Sequence, residues 1–309
     1  MDHLSMGASD MKRFVINILI FFGIVAVIDF AVGKVFHYLQ ANKAGGRTGA
    51  EYYACKESKE DIIIMGSSRA SHHYVPQIIT DSLGLSCFNA GQDGNGIILQ
   101  YGRWKMISER YSPKLIIYDV NPIFDLCKND NMTYVDRLKP FCNNNEVKDY
   151  VSTISPMEKC KLFSQMYCYN YKFIEMAFDC TKHRGDKRKG YLPLYGEIRR
   201  EMVESDKTVK RHDMAIDDIK VKYLSQLASD CREKGTKLFF VASPCFRGGG
   251  LTIESFRAVS DISELYGIPF LYYYESDFSE NADLFKDSQH LNDEGAMLFT
   301  KELLSRIQL

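Results

Sequence analysis

The chain has 309 residues, of which 45% are hydrophobic and 26% are charged, and its formal net charge is −1. This composition is that of an ordinary globular protein, long enough for one large α/β domain or two small ones. The balanced charge argues against a nucleic-acid-binding protein, which usually carries a basic face, so we expect no nucleic-acid partner.

The N-terminal region contains the longest apolar segment of the chain, residues 14–33, in which Asp29 is the only charged residue. About 20 helical residues match the hydrocarbon core of a bilayer, which is roughly 30 Å thick. Lys12 and Arg13 precede the segment, as in a signal anchor. A buried core helix is the alternative, but it would need a polar face that this segment lacks.

These features predict three N-terminal regions. Residues 1–13 are expected to be a disordered N-terminus, residues 14–36 a transmembrane signal anchor, and residues 37–60 a polar linker. A catalytic domain that follows such a segment is usually an exported one, so we expect a single-pass, membrane-anchored protein with its domain outside the cytoplasm.

Short apolar runs separated by helical patterns follow the linker. A β-branched run that ends at glycine, such as residues 61–66, is typical of a buried parallel strand that meets a turn. The predicted strands are residues 61–65, 85–91, 114–120, 237–242 and 268–274, and the last predicted helix is residues 293–306. This order predicts an α/β domain over residues 61–309, a three-layer sandwich with a central parallel sheet.

The regular pattern is interrupted at about residues 124–212, which we interpret as a partly helical insertion. Its basic run, residues 182–189, is either a solvated loop or a surface for an anionic polymer or lipid headgroups. Five of the nine cysteines fall between positions 127 and 180. One or two disulfides or buried free thiols would both fit this pattern.

Two distant stretches carry residues with catalytic chemistry. Ser67 and Ser68 stand at the carboxyl end of the first predicted strand, where α/β sheets bind ligands. Asp287 and His290 lie in the loop before the last helix. A histidine needs a carboxylate to fix its tautomer and to stabilise its protonated form, and an aspartate three residues earlier can supply it.

Four short blocks with these residues resemble the SGNH (GDSL-type) hydrolase superfamily. The blocks are IIIMGSSRA, NAGQDGNG, LIIYDVNP and DSQHLNDEGA, all within residues 61–296. The family is similar to flavodoxin-like α/β proteins in its layers. The resemblance implies that Ser68, His290 and Asp287 are the catalytic residues and that no metal or other cofactor is needed.

The resemblance also implies an oxyanion hole made of the Ser68 backbone N–H, the Gly94 N–H and the Asn121 side chain, with Gly91 as an alternative to Gly94. Two motifs depart from the family pattern. The usual Gly-Asp-Ser-Leu is Gly66-Ser67-Ser68-Arg69, and the usual Gly-x-Asn-Asp is Asp119-Val120-Asn121-Pro122. The Gly-Ser-Ser form is similar to that of membrane-anchored relatives that transfer acyl groups on cell-envelope polymers.

Three neighbouring residues allow more than one interpretation. Arg69 follows the serine and could bind a substrate carboxylate or phosphate, or it could form a structural salt bridge. His72 and His73 could ligate a metal, but no acidic or cysteine partner stands at ligand spacing, so the start of a helix is the simpler explanation.

The sequence therefore predicts a serine-dependent esterase or O-acyltransferase. The expected substrate is an acylated cell-envelope glycan or a small ester, and a membrane acyltransferase is an expected partner. An inactive scaffold that binds a glycan or such a membrane protein is the alternative. A nucleotide-binding protein would need fingerprint glycines after the first strand, which the sequence lacks.

Overall fold

The structure is a computed structural model that describes residues 8–129, 131–185, 187–199 and 215–307. Its strands are β1 (Ile62–Gly66), β2 (Cys87–Asn89), β3 (Leu115–Asp119), β4 (Lys237–Ala242) and β5 (Phe270–Tyr272). Its α-helices are α1 (Ala8–Asn42), α2 (Gly46–Tyr52), α3 (Ser68–His73), α4 (Pro76–Leu83), α5 (Ile97–Ser108), α6 (Pro122–Asp125), α7 (Asn131–Val135), α8 (Asn145–Ile154), α9 (Glu158–Lys161), α10 (Phe173–Asp179), α11 (Asp218–Glu233), α12 (Arg257–Tyr266), α13 (Asp277–Glu280) and α14 (Asp293–Arg306).

The five strands form one parallel sheet in the order β2-β1-β3-β4-β5. The register pairs Ile62 with Leu115 and Gly66 with Asp119, so β1 and β3 end at the same level. The predicted α/β fold with a central parallel sheet is confirmed. Several strands are shorter than predicted, because the flanking residues of the apolar runs turn out of the ladder.

Hydrophobic cores lie on both faces of the sheet. In β1, Ile63 and Met65 belong to one core, and Ile62 and Ile64 belong to the other, as the two-residue period of a strand requires. Helices α5 and α11 cover the first face, whereas α4 and α14 cover the second. The result is a three-layer sandwich in which β1, buried on both sides, reads as a continuous apolar run.

The described helices of the predicted insertion pack onto the domain. Val135, Tyr150 and Val151 belong to the same hydrophobic core as Ile63. The tyrosine hydroxyl of Tyr150 also donates a hydrogen bond to the carbonyl of Ile98 in α5, at 2.7 Å. None of the nine cysteines, all of which lie in the described part of the chain, forms a disulfide, so the sequence-based possibility of disulfides is not realised in this structure.

Residues 37–60 do not form the polar linker that we predicted. Helix α1 continues to Asn42, and α2 and a π-helical turn, Tyr53–Glu57, follow. Glu51 in α2 is buried and forms ion pairs with Lys172 and Arg137, partners more than 80 positions away. These polar residues are therefore part of the packed domain. Residues 8–13, predicted to be disordered, belong to α1, and residues 1–7 lie outside the described part.

Helix α1 has 35 residues and is long and apolar enough to cross a membrane. Its apolar side chains up to Ile28 are exposed all round. From Asp29 onwards the helix contacts the domain, since the Asp29 carboxylate accepts hydrogen bonds from residues 164–166. The first part of α1 is thus free to contact lipid, and the second part is docked.

We expect Gly66→Ala to destabilise the fold more than Gly235→Ala. Both glycines have a positive φ, +140° and +68°, that disfavours alanine by about 1–2 kcal/mol. A Cβ at Gly66 would also lie 2.5 Å from the Asp119 carbonyl oxygen, whereas one at Gly235 would meet nothing within 4 Å. Urea unfolding of both variants checks this. Equal losses of unfolding free energy would contradict the close approach of β1 to β3.

Candidate functional site

The candidate site lies where the strand order reverses. In a 2-1-3-4-5 sheet the crevice for ligands opens at the carboxyl ends of β1 and β3. Ser68 follows β1 after one residue, and Asn121 follows β3 after one residue. Topology alone therefore brings these two side chains to the same edge of the sheet.

Ser68 is the serine that faces the histidine. It is the first residue of α3 and is half-buried, and its Oγ lies 2.8 Å from His290 Nε2. The neighbouring Ser67 is fully buried, and its Oγ has no hydrogen-bond partner among the described residues. The geometry thus distinguishes the two serines that the sequence left adjacent.

Asp287 holds the other side of the His290 ring. Nδ1 of His290 lies 3.0 Å from both carboxylate oxygens of Asp287. The same carboxylate accepts the backbone N–H groups of Gln289 and His290, at 2.8 and 2.9 Å. Burial acts to raise the pKa of Asp287, but these hydrogen bonds and the His290 ring outweigh it and lower the pKa. The carboxylate therefore stays charged, fixes the proton on Nδ1 and leaves Nε2 to accept the Ser68 proton.

His73 supports the histidine loop from below. Its Nε2 accepts the backbone N–H of Leu291 at 3.0 Å, so its proton must lie on Nδ1, which donates to Ser243 Oγ at 2.9 Å. Burial lowers the pKa of His73 well below its usual value and keeps the ring neutral. The sequence could not indicate this role, because the partners are 218 and 170 positions away.

His72 is held as a donor at both ring nitrogens. Nδ1 lies 2.6 Å from the Leu192 carbonyl and Nε2 lies 3.2 Å from an Asp93 carboxylate oxygen. Burial acts to lower the pKa of His72, but the hydrogen bonds to Asp93 and Leu192 raise it above the usual value. Its ring packs edge-on to that of His290, with 5.3 Å between centroids. His72 and His73 are thus both engaged by protein groups rather than arranged around a metal.

Arg69 forms a buried salt bridge and does not face the substrate side. Its side chain is fully buried, with Nε 3.5 Å from Asp119 Oδ1 and Nη2 donating to the Val120 carbonyl at 2.8 Å. The Tyr74 hydroxyl donates to the other Asp119 oxygen at 2.5 Å. The possible substrate-binding role of Arg69 is therefore corrected in favour of the structural alternative, because no surface of the guanidinium reaches solvent.

The groups expected to form the oxyanion hole differ in whether their hydrogen-bond donors are already used within the protein. Gly91 donates its N–H to Asn89 Oδ1 at 3.0 Å, so it is occupied, whereas Gly94 is exposed in a left-handed turn with φ +68°. Asn121 uses its side-chain oxygen to accept the Ile123 N–H at 3.1 Å. Among the described residues Asn121 Nδ2 has no partner, so this amide remains a donor. The N–H of Ser68 is one of the first in α3, which have no acceptor within the helix.

A cavity of about 890 Å³ has Gly91, Asp93 and Leu192 in its lining, whereas Ser68, Asp287 and His290 do not line it. It is bounded by α2, by the loop after β2 and by residues 182–192, and it reaches Ser71 and Asp93. The basic run that the sequence singled out thus forms one wall, although Arg184 is engaged by Glu57 at 2.5 Å. Residue 186 of that run lies outside the described part of the chain.

Comparisons with known proteins find structural similarity only. No protein-family profile and no curated protein sequence matches this chain. A psychrotrophic esterase from Pseudoalteromonas sp., inhibited by monoethylphosphonate, has a TM-score of 0.42 and 12% identity over 79% of this chain and 94% of its own. An acetyl xylan esterase has a TM-score of 0.41 and 11% identity over 80% of this chain and 100% of its own. At this level of similarity, the reaction must be argued from the site itself.

We expect Arg69→Leu to lower the free energy of unfolding by about 3–5 kcal/mol, because it leaves the Asp119 carboxylate buried without its partner. Adding Asp119→Asn should recover part of this loss. The matched control is Arg257→Leu, which breaks an exposed pair with Glu254 and should cost about 0–1 kcal/mol. Urea unfolding followed by Trp104 fluorescence measures all three. A loss no larger than that of the control would contradict the buried pair.

We expect His72 to make stability depend on pH. Because its pKa is raised in the folded state, protonation stabilises the fold fully below about pH 6.5, the unfolded value. This contribution is lost as pH rises through the folded pKa. His72→Gln should therefore flatten the decline in unfolding free energy with rising pH. Identical pH profiles for wild type and His72→Gln would refute this assignment.

Proposed function

We propose that this protein is a serine-dependent esterase or O-acyltransferase in which Ser68 is the nucleophile. The observation that carries the proposal is the continuous hydrogen-bonded chain from Ser68 Oγ through the His290 ring to the Asp287 carboxylate. Such a chain activates a hydroxyl group that is otherwise a weak nucleophile at neutral pH.

The proposed reaction proceeds through an acyl-serine. Ser68 Oγ attacks the ester carbonyl carbon while its proton passes to His290 Nε2. The tetrahedral intermediate then expels the alcohol, which takes the proton back from His290. Water or a sugar hydroxyl next attacks the acyl-serine with the same histidine as base. The second tetrahedral intermediate then releases Ser68 Oγ, which takes the proton back from His290, and the product of hydrolysis or transfer leaves. No step requires a metal or another cofactor.

The negative charge of the intermediate needs hydrogen-bond donors. We assign them to the N–H groups of Ser68 and Gly94 and to Asn121 Nδ2. The occupied N–H of Gly91 favours Gly94 over the alternative. The hydrogen bond from the Ile123 N–H to Asn121 Oδ1 supports this assignment, because it turns Oδ1 towards the helix and leaves Nδ2 pointing away from it. Each such donor typically contributes about 2.7–4 kcal/mol to lowering the barrier.

We further propose that the substrate is an acylated cell-envelope glycan. Helix α1 supports a single-pass anchor with the domain on the extracytoplasmic side, where such polymers lie. The cavity of about 890 Å³ beside Asp93 is larger than an acetyl ester needs, and its basic wall would suit an extended substrate that carries negative charge. A membrane acyltransferase is the proposed donor partner for the transfer reaction.

The test is covalent labelling of the detergent-solubilised full chain with a fluorophosphonate. We expect the wild type to be labelled, and we expect Ser68→Ala and His290→Ala to lose labelling. Ser67→Ala is the matched control, because the Ser67 hydroxyl makes no hydrogen bond with the described residues, and it should stay labelled. Intact mass and gel fluorescence measure the adduct.

Two results would contradict the proposal. Labelling that survives in Ser68→Ala would place the reactive group elsewhere. A folded wild type that is not labelled would instead support the inactive scaffold as the alternative function, which the departures from the family motifs first suggested.

A further inference from the structure

Exposed apolar side chains are concentrated in one short stretch outside α1. Phe163, Met166, Phe173, Ile174 and Phe178 have between 42% and 74% of their surface exposed. We call the two that lie in the loop after α9, Phe163 and Met166, the apolar patch. Large exposed apolar side chains close together on a surface usually mark a contact with a protein or a membrane.

Helix α10 presents its apolar residues outwards. Phe173, Ile174 and Phe178 are exposed on one face, whereas Met176 and Asp179 are buried on the other. A helix on a water-exposed surface normally has the opposite arrangement, with polar residues outside. Asp179, at the end of α10, accepts the backbone N–H groups of Gly45 and Thr48, so this face lies beyond the end of α1 at Asn42 and is not part of a surface at the level of Gly33.

The apolar patch is attached directly to the candidate membrane helix. The Asp29 carboxylate accepts hydrogen bonds from Ser164 Oγ and from the backbone N–H groups of Gln165 and Met166, at 2.6 to 3.0 Å. A Cβ at Gly33 would collide with Gln165, so the helix and this loop are in close contact. The only charged residue of the apolar segment is thereby satisfied by the loop that carries Phe163 and Met166.

The height of this contact follows from helix geometry. A span of about 20 residues that begins at Phe14 ends near Gly33. Asp29 and Gly33 are separated by about 6 Å along the helix axis, at 1.5 Å per residue. The loop at residues 164–166 therefore lies level with the last turn of the span, where hydrocarbon gives way to headgroups.

We propose that the apolar patch is a second membrane contact, which inserts into the headgroup and upper acyl-chain region of the bilayer that α1 crosses. The inference rests on the proposed membrane span. The nearby charges fit a membrane, since Lys148 Nζ lies 4.8 Å from the Phe163 ring centroid and Lys159, four residues before Phe163, is exposed. Lysines in these positions can reach anionic headgroups while the aromatic rings enter the apolar layer.

Lipid-quenching fluorescence of the full chain in vesicles tests the proposal. The native Trp104 is fully buried and gives a constant background. Phe163→Trp and Met166→Trp place a reporter in the apolar patch at exposed positions, so folding should be unaffected. The vesicles contain phosphatidylglycerol and phosphatidylcholine brominated near the headgroup end of the acyl chains. We expect a blue-shifted emission from both reporters and its loss in the brominated vesicles.

Two control variants separate this proposal from the one on which it rests. Phe21→Trp lies in the apolar segment and reports the span, and Leu265→Trp is 69% exposed on α12 and reports bulk solvent. Quenching at positions 21, 163 and 166 but not at 265 would support the second contact. Quenching at position 21 alone would overturn it and leave the patch for a protein partner, while the span stands. No quenching at position 21 would overturn the span and the inference together.

Discussion

The buried ion pair between Arg69 and Asp119 is the interaction on which the site depends. Arg69 follows Ser68, and Asp119 ends β3 two residues before Asn121, so the pair ties together the two strand ends that meet at the crevice. Both residues also stand where the SGNH pattern has other residue types. One departure in each of the two motifs is thus the partner of the other, and a charge of either sign alone in this core would be costly.

One polar network continues from this pair to the opposite side of the site. Asp119 is hydrogen-bonded to Ser243, which accepts from His73, and His73 in turn accepts the Leu291 N–H beside His290. Ser68 and His290 are 222 positions apart in the chain, yet they are positioned by neighbouring members of the same network. The fully buried core therefore controls the alignment of half-buried groups.

The sequence could predict the elements whose signal is local. Continuous apolar runs predicted the parallel strands. The spacing of Asp287 and His290, together with the order of the blocks, predicted that these two residues meet Ser68, as they do in the structure. Polar residues with distant partners could not be predicted in this way. Glu51 looks like part of a solvated linker until Lys172 and Arg137 are brought to it. The sequence left Arg69 open between a substrate ligand and a structural salt bridge, and only the structure supplies Asp119 as its partner.

The folded connection between α1 and β1 has a mechanical consequence. A flexible tether of some twenty residues would let the domain move through a large volume. Here α2, the π-helical turn and the Asp29 contact instead hold the domain directly against α1. On the proposed membrane span, a domain mounted in this way has a fixed height above the bilayer. The proposed reaction would then be confined to substrate groups that come down to the height of the crevice.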